Sequence, residues 1–95
     1  MNKYEIMFIV RPDMEEAEIK KTADAMKKVL TDKKAKVLEE KAMGQRELAY
    51  EIKKFNTGYY YLYIVEANAE AVSEFDRVVR INENLLRHLV IKVED

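Results

Sequence analysis

A chain of 95 residues suits one domain, 1–95, and a domain of this size buries roughly 60–65% of its unfolded-chain surface, enough for a core without staples. It has no cysteine, which excludes disulfides, thiolate metal sites and cysteine nucleophiles and is compatible with a reducing compartment. Seventeen basic residues stand against eighteen acidic ones, a net charge of −1, and a dedicated nucleic-acid binder is usually more basic than that. The mean conceals a local imbalance. Lys33–Lys54 holds seven Lys/Arg and four Glu, a net of +3, while acidic residues gather at Asp13–Glu18 and Glu66–Asp76. No apolar run approaches the ~20 residues of a membrane span. Met1–Lys3 leads directly into a strand-like segment, so no secretory leader is expected.

In chain order, YEIMFIV at 4–10 reads as a strand, aromatic and β-branched and closed by Arg11-Pro12-Asp13. Alternation puts Tyr4, Ile6, Phe8 and Val10 on one side, and Glu5, Met7 and Ile9 on the other. Asp13 is expected to open a helix, since Asp13 and Glu16 have the spacing of a capping box. Ile19, Ala23, Met26, Val29 and Leu30 then recur at helical spacing. Acidic residues in the first turn and Lys27 and Lys28 later complement the helix dipole; they read as a solvated face.

Residues 35–52 carry a strand pattern interrupted at Gly44, which suggests a bulge or bend. KFNTG at 54–58 has turn chemistry, with Asn56 and Gly58 as the positions expected to take positive φ. A tyrosine-rich strand follows, so the two runs form a long hairpin. Asn68 is a candidate helix cap, and Ala71, Val72, Phe75, Val78 and Val79 form an apolar stripe broken at Asn82-Glu83-Asn84. LLRHLVIKV, 85–93, is the last strand. The order β-α-β-β-α-β predicts an α+β, ferredoxin-like fold: a four-stranded antiparallel sheet, two right-handed crossovers, both helices on one face and the other face open.

The segment TGYYYLYIVEA, 57–67, is similar to the aromatic third strand of RNA-recognition motifs at Gly58, Tyr59, Tyr61 and Leu62, and departs from it at Thr57, Tyr60 and Ile64. In those domains Tyr59 and Tyr61 would have to lie on the open face to stack on bases. Here Glu66 shares its side with Tyr60, Leu62 and Ile64, and the less buried side is the one with the carboxylate. Tyr61, Tyr63 and Val65 therefore point to the helices, and a one-residue slip would reverse every assignment. The first strand agrees, since Tyr4 and Phe8 lie opposite Glu5. The open face then carries Met7, Ile9, Tyr60, Leu62 and Ile64, an apolar set where a solvated face would be polar. Such a patch marks an interaction site, here for a protein partner. In the last strand His88, Leu89, Val90, Ile91 and Val93 are all apolar or nearly so, and the pattern does not fix its register.

No GxGxxG, P-loop or HExxH motif is present. His88 is the one histidine, without a second ligand for a metal or a nucleophile for a triad. Glu39 and Glu40 adjoin in a strand and point apart. Catalysis, cofactors and metals are not expected.

At GQRELAYEIKKFNTGYY, 44–60, the chain closely resembles the family of the sixth protein of the bacterial small ribosomal subunit. Its G-x-R-x-L-A-Y run is met by Gly44, Arg46, Leu48, Ala49 and Tyr50, followed by Ile52, Lys54, Gly58 and Tyr59. Tyr4-Glu5-Ile6, Arg11-Pro12 and the stretch from Ile81 to Arg87 extend the resemblance over 3–93. Asn2, Gln45 and Glu51 stand where members often have arginine, a second basic residue and proline, which lowers the charge available for RNA. The resemblance implies a cytoplasmic, non-catalytic ribosomal protein. It would bind the central domain of small-subunit (16S) ribosomal RNA as a heterodimer with the eighteenth small-subunit protein. Lys3, Tyr4, Arg46, Lys53, Lys54, Arg87 and Lys92 are the candidate RNA contacts. Two other readings stay open at this level: a protein binding single-stranded RNA unaided, and a small-molecule-sensing dimer that buries the apolar face against itself.

Overall fold

The computed structural model describes residues 1–93 and has the expected order: β1 (Asn2–Val10), α1 (Glu16–Asp32), β2 (Lys36–Ile52), β3 (Phe55–Ala67), α2 (Ala69–Ile81) and β4 (Leu85–Val93). The strands form one antiparallel sheet in the order β2-β3-β1-β4. This is the ferredoxin-like α+β fold read from the sequence.

One side of the central strands supplies the core. Ile6, Phe8 and Val10 of β1 and Tyr63, Val65 and Ala67 of β3 pack with Ile19, Ala23, Met26 and Leu30 of α1 and Ala71, Phe75 and Val79 of α2. Both helices thus cover the same sheet face, because each has one apolar stripe to bury. Phe8 sits at the centre. Its ring stacks on Tyr61 at 5.4 Å between centroids, meets Tyr63 edge-on at 5.4 Å and lies 6.3 Å from Phe75. The Tyr63 hydroxyl donates to the Ala23 carbonyl at 3.3 Å, so the polar end of a buried ring is satisfied within the core. Burial is the largest influence on that hydroxyl and pushes its pKa up. The tyrosine side assignment therefore holds: Tyr61 pairs in register with Phe8 and Tyr63 with Ile6, under the helices.

Two local expectations differ from the structure. Asp13 does not cap α1. Its carboxylate forms a bidentate pair with Arg11, Nε to Oδ1 at 2.7 Å and Nη2 to Oδ2 at 2.8 Å, and the helix starts at Glu16 with Glu15 as its cap residue. A charge-assisted fork outcompetes a single cap bond. The hairpin turn is Lys53-Lys54, both in the left-handed region (φ 49° and 71°), while Ile52 pairs with Phe55. Two consecutive positive φ values fit the mirror-image turn that matches strand twist. Asn56 and Gly58 belong to β3 instead. Gly58 is needed for closeness rather than for φ: a β-carbon there would overlap Ile9 Cγ2 and come 3.3 Å from the Val10 carbonyl. Gly44 does have φ +80°, at the bulge between Ala42 and Gly44. Asn68 caps α2 as expected, accepting from the Ala71 amide at 2.9 Å.

His88 is half-buried beneath α2 and bonds Asp76 Oδ1 through Nε2 at 2.7 Å; Arg80 reaches the other oxygen at 2.9 Å. The hydrogen bond to His88 leads the causes that hold the Asp76 carboxyl below its ordinary pKa of 3.8, followed, against opposing desolvation, by the charge of Arg80. A carboxyl with a depressed folded pKa contributes stability above its unfolded pKa and loses it as pH falls through the folded value. Asp76→Asn is therefore expected to reduce the loss of stability on acidification. Urea midpoints measured from about pH 6 down to about pH 2.5 check this, since the difference between wild type and variant should shrink towards the acid end.

Candidate partner-docking and nucleic-acid surface

Pairing across the sheet fixes what the open face presents. Four rows run from β4 through β1 and β3 to β2: Arg87–Ile9–Tyr60–Gly44, Leu89–Met7–Leu62–Lys41, Ile91–Glu5–Ile64–Glu39 and Val93–Lys3–Glu66–Lys36. Residues in a row are cross-strand neighbours on one face. The middle of the face is mostly apolar, interrupted by Glu5 between Ile91 and Ile64; the other charges are Arg87, the β2 side and the Val93 row. Met7, Tyr60, Leu62 and Ile64 are half-buried, with no helix above them. Ile9 requires a correction. It points to this face but is only 3% exposed, crowded with Leu86 around Gly58, so it supports the patch from beneath and offers no surface.

The last strand, whose register the sequence left open, enlarges the patch. Leu89 and Ile91 fall on the open side, 43% and 47% exposed. Pattern reading missed them because His88, Val90 and their neighbours give no polar–apolar alternation. The ordinal signal lies in β1: Met7 faces the open side and pairs with Leu89.

The candidate RNA contacts divide between two ends. Arg46, Lys53, Lys54 and Arg87 lie at the hairpin end of the sheet, whereas Lys3, Tyr4 and Lys92 lie at the other. From Lys3 to Ile9, the β1 partner of Arg87, is six residues, about 20 Å at strand rise. Tyr4 and Lys92 pair on the helix side, with Tyr4 half-buried against the core, so a base can reach little of its ring. At the hairpin end Arg87 lies over the Tyr50 ring, 5.7 Å from its centroid, and Nη1 donates to the Tyr50 hydroxyl. Lys53 Nζ donates to the Leu85 carbonyl at 3.4 Å, and Arg46 Nε to the Met43 carbonyl at 3.3 Å. Arg11 stands over Phe55 at 5.2 Å. The Arg87–Tyr50 and Lys53–Leu85 contacts anchor the hairpin tip beside the start of β4, and Arg46 is held locally within β2. Tyr50 was missed as a positioning residue because its partner is 37 residues away. Gln45, one of the uncharged departures, donates to the Thr57 hydroxyl at 3.1 Å and so ties the hairpin instead of carrying charge.

Tyr59 and Tyr61 are not fully covered. With Tyr63 they floor a cleft of about 920 Å³ between α1 and β2, rimmed by Glu16, Asp24 and Glu40 and by Lys20 and Lys41. The rim has no excess of positive charge, and a phosphate backbone would gain little there. Base stacking on these rings is therefore not what the surroundings favour. Among the described residues no group of three His, Asp or Glu could hold a metal, and no helix is long and apolar enough to cross a membrane.

The sequence matches the family described as Ribosomal protein S6 over residues 3–92. The fold is similar to the crystal structure of 30S ribosomal protein S6 from Thermotoga maritima, with a TM-score of 0.92, 30% sequence identity and coverage of 97% of this chain and 87% of that one. The chain belongs to the ribosomal protein S6 family, the structural and non-catalytic proteins of the small subunit of the cytoplasmic ribosome.

Proposed function

We propose that the open sheet face seats the eighteenth small-subunit ribosomal protein and that the pair binds the central domain of 16S ribosomal RNA, supporting subunit assembly and translation. The observation that carries this reading is the largely apolar middle of the open face, Met7, Leu62, Ile64, Leu89 and Ile91, lying next to the cations of the hairpin end, where Arg87 is held over Tyr50. A chain with net charge −1 gains little from phosphate neutralisation alone, and a basic partner would supply the rest. Arg46, Lys53, Lys54 and Arg87 form the first group of phosphate contacts under this reading. Lys3 and Lys92, about 20 Å away along the sheet, would meet RNA only as a second, separate contact.

Arg46→Ala tests the first group. In binding of the two-protein complex to a central-domain RNA fragment, the slope of log K against log salt should fall by about one unit. An unchanged slope removes Arg46 from the contact set. Size measurement of the isolated chain tests the competing self-association reading: a monomer agrees with the proposal, and a stable dimer burying the apolar face contradicts it.

A further inference from the structure

The sheet has two edges, and they are built differently. β2 is bulged or shifted at Val37/Glu39, Ala42/Gly44 and Glu47/Ile52, and it carries four glutamates and three cations. Bulges and charges are how natural sheets keep an edge from pairing with another chain. β4 has no bulge along most of its length and only two charged residues, Arg87 and Lys92. Its one irregularity falls at the Ile9/Val10 level, beside its first residues, where Lys53 also occupies the Leu85 carbonyl. From His88 to Val93 the register with β1 is unbroken, and among the described residues β4 pairs with no other strand. Within it His88–Ile91 lies between two cations, Arg87 and Lys92, and no carboxylate occurs from Leu85 to Val93.

We propose that β4 is a strand-addition site that takes an extended segment of a partner protein, with apolar residues at alternate positions and a carboxylate near each end. An unpaired edge offers a row of backbone N–H and C=O groups, which only an extended chain satisfies in series. Leu89 and Ile91, pointing to the open face and nearly half exposed, give the alternate apolar contacts. The carboxylates complement Arg87 and Lys92. On the helix side the added strand would run beside α2, whose groups nearest β4 are Asp76, bonded to His88, and Arg80, paired with Asp76. Those charges are already matched and leave the polarity of the edge to Arg87 and Lys92.

The site does not require the ribosomal partner proposed above, and its test uses the isolated chain. The probe is a synthetic eight-residue peptide of alternating valine and threonine with glutamate at both ends. Fluorescence anisotropy should show saturable binding. Hydrogen exchange should slow at those amides from His88 to Val93 that point away from β1, with β2 unchanged. The same peptide N-methylated at alternate amides should lose binding at least tenfold, because only main-chain pairing is removed. Ile91→Lys, at an exposed position, should weaken binding at least tenfold with an unchanged urea midpoint. Absence of binding at millimolar peptide, protection at β2 instead of β4, or equal affinity for the N-methylated peptide would each overturn the assignment. So would protection of the same amides by an RNA oligonucleotide but not by the peptide.

Discussion

Phe8→Ala is expected to destabilise the isolated chain by about 3–5 kcal/mol, the range for removing a buried aromatic side chain. Native domains are stable by only about 5–15 kcal/mol, so this one change would consume a large part of the total. The reason is its position. Phe8 is fully buried, and three rings, Tyr61, Tyr63 and Phe75, close on it from β3 and α2. Their packing cannot collapse into the space without moving the sheet against the helices, so most of the cavity term remains. Urea unfolding monitored by tyrosine fluorescence and far-UV circular dichroism measures it. A loss below about 1 kcal/mol would mean that the centre of the core lies elsewhere. Tyr61→Ala should cost less than Tyr63→Ala, since Tyr61 is only partly buried at the α1–β2 cleft and Tyr63 is 4% exposed and hydrogen-bonded.

Leu62→Glu should leave the fold in place and weaken the proposed docking of the eighteenth small-subunit protein by about 30-fold or more, some 2 kcal/mol, as for a charged group introduced at the centre of an apolar interface. Leu62 lies between Met7 and Lys41 in its row, half-buried and facing away from the helices, so the carboxylate can reach water in the free chain. Only a partner closing over the face would strand it. Calorimetric titration of wild type and variant, with urea midpoints as control, separates the two effects. Equal affinity with an intact fold would place the docking surface off this face.

The parts of the fold legible in the sequence are those where a short period meets a strong contrast. Glu5 and Glu66 each mark one side of a strand, and that sufficed to turn Tyr61 and Tyr63 inward. Asn68 was legible because an asparagine before an apolar helical stripe has one economical use. β4 was not legible, because nearly every residue from His88 to Val93 tolerates either side and only pairing with β1 decides. The start of α1 misled for a different reason. Asp13 has two partners within reach, the helix amides and Arg11, and sequence spacing does not rank them. The turn misled because asparagine and glycine are the usual carriers of positive φ, yet the hairpin register required two lysines to adopt it.

The candidate site shows the same division. The apolar set on β1 and β3 followed from alternation, with Ile9 as the exception: the close approach of Gly58 covers it, and a residue without a side chain leaves no trace in a polarity pattern. Leu89 and Ile91 were beyond alternation. The Arg87–Tyr50 contact joins the hairpin to β4 across the sheet end and could be seen only once the chain was folded.

The proposed reading makes RNA binding depend on the partner, and one comparison tests that dependence directly. The isolated chain and its complex with the eighteenth small-subunit protein are titrated onto a 16S central-domain RNA fragment at about 150 mM salt. Binding should be detectable for the complex and absent, or at least 100-fold weaker, for the chain alone. Equal affinity of the chain alone would contradict the account and return RNA to a surface of this protein acting unaided.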